Sequence, residues 1–204
     1  MSSSPRIAIV IYTVYGHIAK LAESIKEGIV EAGGNATIYQ CAETLTEEVL
    51  TLIKAPPKPN YPLIQANDLP NFDGFLFGVP TRFGNMPVQM KALWDATGPL
   101  WYKRSLHGKY AGVFVSTGSL AGGQEVTVMN MVSTFAHHGT IFVPLGYERC
   151  QAELTNVEEV RGGSPWGAGT IVGPTHTMQP TKSELAIARA QGMNFYETLA
   201  KVKF

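Results

Sequence analysis

Cysteine is nearly absent from this chain: Cys41 and Cys150 are the only two in 204 residues. Two thiols so far apart make neither a disulfide framework nor a metal-ligand cluster, so free thiols in a reducing compartment are expected and no metal site. An excess of charge is missing too. Lys plus Arg number 16, Asp plus Glu 16, and charged residues make up only 16% of the chain. That balance argues against a basic nucleic-acid surface and against a strongly acidic electron carrier. Long hydrophobic runs are also lacking. The apolar run Ile7–Tyr12 is far shorter than the ~20 residues of a membrane span. The start of the chain has no basic segment or small-residue cleavage site of a secretory signal. Met1–Pro5 reads as a frayed end, and the protein as soluble and cytoplasmic, with no integral membrane segment.

What is present is an alternation of buried strands and amphipathic helices, with apolar residues at 45%. Ile7–Tyr12 is a continuous run of the kind a parallel strand shows when both its faces are covered. Ile18, Leu21, Ala22, Ile25 and Ile29 follow at helical spacing, and Gly33-Gly34 stops that helix. A second strand is expected over 36–41, a helix over 43–54, and a loop at Ala55-Pro56-Pro57-Lys58-Pro59, where proline density forbids a helix. Strands are expected over 75–79 and 111–115, with a fifth starting at 140–143. Helices are expected over 86–94 and 126–137. Met86, Met90, Leu93 and Trp94 share one helical face and read as core or interface. Residues 146–180 are glycine-rich and irregular, with a short strand near 170–172. A segment this long without regular structure points to function or assembly. Thr181-Lys182-Ser183-Glu184 is a capping box opening the last helix. The pattern predicts one α/β domain over 1–204: a doubly wound, five-stranded parallel sheet of flavodoxin-like order 2-1-3-4-5, helices on both faces. Its ligand crevice falls at the carboxyl ends of strands 1, 3 and 4.

Three loops meet there. The first, Thr13-Val14-Tyr15-Gly16-His17-Ile18, offers hydroxyl and imidazole donors and the first amides of a helix, with no carboxylate; it suits a phosphate, or is a plain strand-to-helix turn. The second, Pro80-Thr81-Arg82-Phe83-Gly84-Asn85, carries an aromatic that either lies against a flat ring or is simply exposed. The third, Ser116-Thr117-Gly118-Ser119-Leu120-Ala121-Gly122-Gly123, either wraps a ligand with its main chain or is a mobile surface loop. Other α/β chemistries lack their motifs. There is no G-x-x-x-x-G-K-[ST], no G-x-G-x-x-G after strand 1, no G-x-S-x-G and no H-E-x-x-H. Asp73 precedes strand 3, where a phospho-acceptor acid would end it. A mononucleotide with a flat ring over the strand ends, a flavin, remains.

At these loops the chain resembles the WrbA-type NAD(P)H:quinone oxidoreductases of the flavodoxin superfamily. The resemblance is carried by Tyr12–Ile18, Gly78–Met86, Ser116-Thr117-Gly118, His137-His138-Gly139, Val143–Tyr147 and Gly162–Gly167. It implies non-covalent FMN, its phosphate at Thr13–Ile18 and its ring and ribityl chain held by 80–85 and 116–123. It also places His137 beside the ring, and Tyr15 and Trp101 at the nicotinamide and quinone positions. NADH or NADPH is the implied reductant and a quinone the implied acceptor, in alternating two-electron half-reactions that protect against oxidative stress. A homotetramer, a dimer of dimers, is implied, with neighbouring subunits walling each site. Two departures stand out: Thr13 replaces the family's usual Ser, and the strand-4 loop is one residue longer. The proline-rich stretch is similar to fungal members, some of them found peripherally at the plasma membrane, although no lipidation motif or basic amphipathic helix here accounts for that. His137 is the expected proton donor to the nascent hydroquinone, since imidazoles titrate near neutrality; a helix-end role is its alternative. Tyr15, Phe83 and Trp101 are expected to form an aromatic box, or else to pack as core and interface. A one-electron shuttle and a non-enzymatic FMN-bearing scaffold are the rival functions.

Overall fold

The computed structural model describes residues 4–204. Its elements run β1 (Ile7–Ile11), α1 (His17–Glu31), β2 (Ala36–Gln40), α2 (Glu47–Leu52), a 3-10 turn (Ala66–Asn71), β3 (Gly74–Pro80), α3 (Val88–Asp95), α4 (Gly98–Tyr102), β4 (Tyr110–Thr117), α5 (Gln124–His138), β5 (Ile141–Phe142), α6 (Gln151–Thr155), β6 (Gly169–Ile171) and α7 (Lys182–Ala200). Of the expected frayed end, Met1–Ser3 lie outside the described residues. Pro5 is buried, and the chain is already anchored at Arg6, whose amide donates to Asp73 Oδ2 at 2.8 Å and whose guanidinium donates to Oδ1 at 2.7 Å. Burial works to raise the Asp73 pKa, but these bonds from Arg6 outweigh it and hold the carboxyl below its ordinary value. Asp73 is therefore a strut.

The sheet is parallel, in the order β2-β1-β3-β4-β5, with β1 paired to β2 and β3 along its whole length. Alternate residues of β1 feed two cores. Ala8, Val10 and Tyr12 join Phe75, Phe77, Trp94 and Phe135 on one face. Ile7, Ile9 and Ile11 meet α1 and α7 on the other. A strand covered on both faces needs apolar residues at every position, which is why the run is unbroken. The α1–α7 contact is unusually close. A Cβ at Gly28 would sit 2.0 Å from the Arg189 carbonyl oxygen, and one at Gly192 would sit 2.0 Å from that of Ile25. Only glycine lets two helix backbones meet this way.

A sixth strand adds to the expected order. Both β5 and β6 pair with β4, at different levels: Tyr110–Ala111 with Ile141–Phe142, and Val115–Thr117 with Gly169–Ile171. The edge position is thus filled by two short strands, and 143–168 loops out between them. Pro144, which has no N–H to donate, follows β5 closely. The irregular segment is bolted down by polar side chains of α5 and α7. Buried Glu184 accepts from the amides of Gly162 (2.7 Å), Ile171 (3.1 Å) and Thr181 (2.8 Å) and from Thr170 Oγ1 (2.8 Å). Gln191 accepts from Ala168 N and donates to Val113 O. Gln124 accepts from Gly163 N and donates to Thr170 O. The capping box holds, with Glu184 N donating to Thr181 Oγ1 at 3.2 Å. The helix expected over 43–54 is shorter, because Thr46 caps it by accepting from Val49 N while Glu43 is engaged elsewhere.

Candidate active site

The loops after β1, β3 and β4 converge on one cleft of about 290 Å³, at the point where strand order reverses. Thr13, Val14, Tyr15 and His17 line it from the first loop, Pro80, Thr81 and Arg82 from the second, and Ser116, Thr117 and Gly118 from the third. Leu45, Ile53, Val172 and His176 complete it. Sequence reasoning assigned none of these four. No carboxylate is among the lining side chains.

At the β1 end, Gly16 adopts φ +88° and turns the chain into α1, and its amide donates to Thr13 Oγ1 at 3.0 Å. The amides of the first helical residues, His17 and Ile18 among them, lack intrahelical acceptors, as at any helix start. The Ile18 side chain is buried in the core, so only its backbone is offered to a ligand. His17 is 4% exposed, and its Nε2 is buried with no partner among the described residues. Its pKa is lowered by burial and further by Lys20 and His176, against a bond to the Met178 backbone that acts to raise it. Behind this loop, Lys58 donates to the Thr13 carbonyl at 2.6 Å. It also pairs with Glu43 at 2.6 Å and lies over the Tyr12 ring. Burial acts to raise the Glu43 pKa, but Lys58 and the amides of Leu45 and Thr44 bring it down to about 2. The proline-rich stretch therefore delivers the cation that braces the first loop. The signal was there, since Lys58 is its sole charged residue.

In the second loop, Arg82 and Asn85 exchange backbone bonds of 2.8 and 3.0 Å across Phe83 and Gly84. Those two residues have φ +54° and +74°, as in a type I′ turn. Phe83 stands at the tip, fully exposed. Phe83, Gly84 and Asn85 are not among the residues lining the cleft. Asn130 of α5 donates to the Gly84 carbonyl at 2.6 Å. The Thr81 hydroxyl is shared with Thr127 (2.7 Å) and Gly84 N (3.2 Å), so it acts as a brace. In the third loop, Ser119, Gly122 and Gly123 line a neighbouring groove of about 330 Å³ that meets the cleft at Thr117 and is walled opposite by Arg161–Ser164.

Tyr15 stacks on His176, ring centroids 4.9 Å apart and planes within 10°, and its hydroxyl donates to Ile53 O at 2.9 Å. His137 and Trp101 lie elsewhere. They share a groove of about 500 Å³ with Tyr102, Arg104, His107 and Gly139, and that groove has no lining residue in common with the cleft. Trp101 is 56% exposed there. Within one chain, Tyr15, Phe83 and Trp101 are therefore not brought together, and neither is His137 with the cleft.

A buried unpartnered imidazole nitrogen, free helix-start amides and an absence of carboxylates fit a phosphate monoester, and the adjoining strand-end loops fit what it carries. The model of the NADPH-dependent FMN reductase family matches residues 6–148. The chain belongs to that family. FMN is accordingly its cofactor and a nicotinamide nucleotide its reductant, which makes it an FMN-dependent oxidoreductase. The chain is 58% identical over 197 residues to the Protoplast secreted protein 2 of Saccharomyces cerevisiae, covering 97% of this chain and 99% of that one. It is 56% identical over 198 residues to the NAD(P)H quinone oxidoreductase PST3 of Candida albicans, covering 97% and 100%. A flavodoxin, WrbA-like protein from Agrobacterium tumefaciens superposes with a TM-score of 0.66 at 21% identity, covering 97% and 99%, and shares the fold. Among the described residues no helix is long and apolar enough to cross a membrane, and no group of three potential metal ligands occurs.

Proposed function

We propose that this member of the FMN reductase family transfers two electrons from NAD(P)H to quinones through FMN held in the strand-end cleft. The observation that carries the reading is the convergence of three ligand-compatible loops on one carboxylate-free cleft with an unpartnered histidine at its phosphate end. Thr13–Ile18 would hold the phosphate; 80–85 and 116–123 would hold the ribityl chain and ring. FMN, when bound, supplies reversible two-electron chemistry, and the protein supplies binding and orientation. Tyr15 and His176 wall the cleft with stacked flat faces that suit a planar nicotinamide or quinone. The two substrates then occupy one place in turn, a ping-pong order.

His137 and Trp101 enter this reading from a neighbouring copy. They are exposed in their own groove, and a tetramer, a dimer of dimers, would lay that groove over the cleft of another subunit. His137 would then place an imidazole N–H against the acceptor oxygen, and Trp101 a ring against the acceptor plane. The whole chain, 1–204, would serve as one FMN-binding unit working in the cytoplasm, where quinone reduction limits oxidative stress. Peripheral attachment to a membrane stays compatible with this location.

The experiment adds FMN, then NADH or NADPH, then benzoquinone to the purified protein while the flavin spectrum is followed. Bleaching by the nucleotide alone and full recovery with benzoquinone support the reading. A flavin that stays oxidised without a separate reductase would make the protein a one-electron shuttle instead. Sedimentation on the same sample tests the assembly, and a monomer with full quinone turnover would refute the contributed His137.

A further inference from the structure

The glycine-rich segment Gly162–Gly169 forms a socket for one side chain. Gln124, the first residue of α5, places its carboxamide between Gly162 and Gly169. A Cβ at Gly162 would lie 2.7 Å from Gln124 Nε2, and one at Gly169 would overlap Gln124 Oε1. Side chains at these two positions would expel the carboxamide. Inside the socket its oxygen and both amide protons are engaged. Oε1 accepts from Gly163 N at 2.8 Å, while Nε2 donates to Thr170 O at 3.0 Å and to Thr117 Oγ1 at 3.1 Å. A backbone N–H only donates and a carbonyl only accepts, so these partners fix which way the amide faces, and a carboxylate cannot replace it. Thr117, the last residue of β4, passes the constraint on. Its hydroxyl donates to Ser119 O at 3.0 Å, and the same carbonyl accepts from Gly122 N at 3.2 Å. The peptide bonds are trans. With the Ser119 carbonyl turned toward Thr117, the Leu120 N–H therefore faces the opposite way, out of the turn. The amides of Gly118, Ser119, Leu120 and Ala121 meet no acceptor among the described residues, and Thr117 and Gln124 govern how this row of donors is presented.

From this geometry we propose that Gln124 is a positioning residue for the flavin: seated in the Gly162–Gly169 socket, it acts through Thr117 to orient the main-chain donors of the loop after β4. The inference rests on FMN occupying the strand-end cleft with residues 116–123 against its ribityl chain and ring. Gln124 does not line that cleft. It lines the neighbouring groove, which meets the cleft at Thr117, so its effect on the cofactor passes through the Thr117 hydroxyl. The brace of the third loop is thereby separate from that of the first, where Lys58 holds the Thr13 carbonyl. The two braces differ in the ligand they serve. A flavin without a phosphate depends on the third loop as fully as FMN does, so damage at Gln124 weakens both alike.

The test is fluorescence titration of the apoprotein with FMN and with riboflavin, with denaturant unfolding of each variant measured alongside. Gln124→Glu keeps the size of the side chain and an acceptor for Gly163, but sets an oxygen against Thr170 O where a donor stood. It should weaken FMN and riboflavin by the same factor, about tenfold. Thr117→Val removes the relaying hydroxyl at similar volume and lies outside the socket. It should weaken both flavins alike, whereas Thr117→Ser, which keeps the hydroxyl, should bind both nearly as the wild type does. A purely structural Gln124 would lower the unfolding free energy and leave both affinities of the folded protein unchanged, and that result overturns the proposal. A loss confined to FMN overturns it too, because the effect would then sit at the phosphate. So does a Thr117→Ser protein that binds as weakly as Thr117→Val. Should Gln124→Glu fail to fold, the two Thr117 variants decide the matter by themselves. Absence of any saturable FMN binding by the wild-type protein would instead sink the cofactor site, and this inference with it.

Discussion

The cleft at the ends of β1, β3 and β4 and the groove between α4 and the end of α5 are built from opposite materials. The cleft is made of short loops, each braced from behind: Lys58 on the Thr13 carbonyl, Thr127 on Thr81, Asn130 on Gly84. Its polar side chains are largely spent on bracing, and what it offers a ligand is backbone, one buried imidazole and two stacked rings. The groove offers Trp101, Tyr102, Arg104, His107 and His137, largely exposed side chains with little to hold them. A cleft of the first kind is preorganised for a ligand within one chain. A groove of the second kind awaits another surface, and on the proposed assembly that surface is a neighbour's cleft.

The bracing behind the cleft is most vulnerable at Glu184. Its carboxylate takes three amides and one hydroxyl in the core, so Glu184→Ala strands four donors. Denaturant unfolding should show a loss of about 3–5 kcal/mol, and FMN should bind poorly, because the loop carrying Val172 and His176 is no longer held. A loss confined to the groove, with the cleft intact, would show that the bracing argument misplaces the insert. Lys58→Met comes next: on the proposal that the first loop holds the phosphate, it should weaken FMN about tenfold while leaving riboflavin affinity nearly unchanged. Equal losses for both ligands would mean Lys58 supports the whole cleft. Trp101→Ala acts on the other region and should raise the quinone KM several-fold with FMN affinity unaltered; release of FMN would contradict its place in the acceptor pocket.

Acid should also separate the two regions. The Glu43 carboxyl, brought to about 2, stabilises the fold fully above its unfolded value near 4.5. That contribution is lost as pH falls from there through about 2. Glu43→Gln should therefore flatten part of the acid unfolding curve, and an unchanged curve would remove Glu43 from the account. The smallest effect belongs to Phe83→Ser. Its ring is fully exposed, so monomer stability should move by about 0.5 kcal/mol or less. If the ring meets a neighbour or the flavin, assembly or FMN affinity will shift instead.

How far the molecule was legible depends on the range of each interaction. The β1 run, the α1 apolar stripe and the Thr181–Glu184 capping box are local patterns, and each appeared as read. The convergence of the three loops after β1, β3 and β4 was legible because strand order alone brings them together. The split edge strand was less so. Ile141-Phe142 and Gly169–Ile171 are too short to announce that they share one neighbour, and the link between them is made by polar residues of distant helices. Glu184 and Gln191 are buried, and a carboxylate or amide there needs partners; that was the usable hint. Lys58 and His176 enter the site through contacts across the fold, to Thr13 and to Tyr15, which no local pattern encodes. The positions of Trp101 and His137 depend on which side of the molecule α4 and the end of α5 face, and single-chain patterning leaves that open.

The most direct test of the account is a crystal structure of the FMN complex. The account predicts the phosphate at the first turn of α1, within hydrogen-bond distance of His17 Nε2, and the ring bounded by the loops after β3 and β4. A flavin seated in the α4–α5 groove, or a phosphate lying away from Thr13–Ile18, would contradict it.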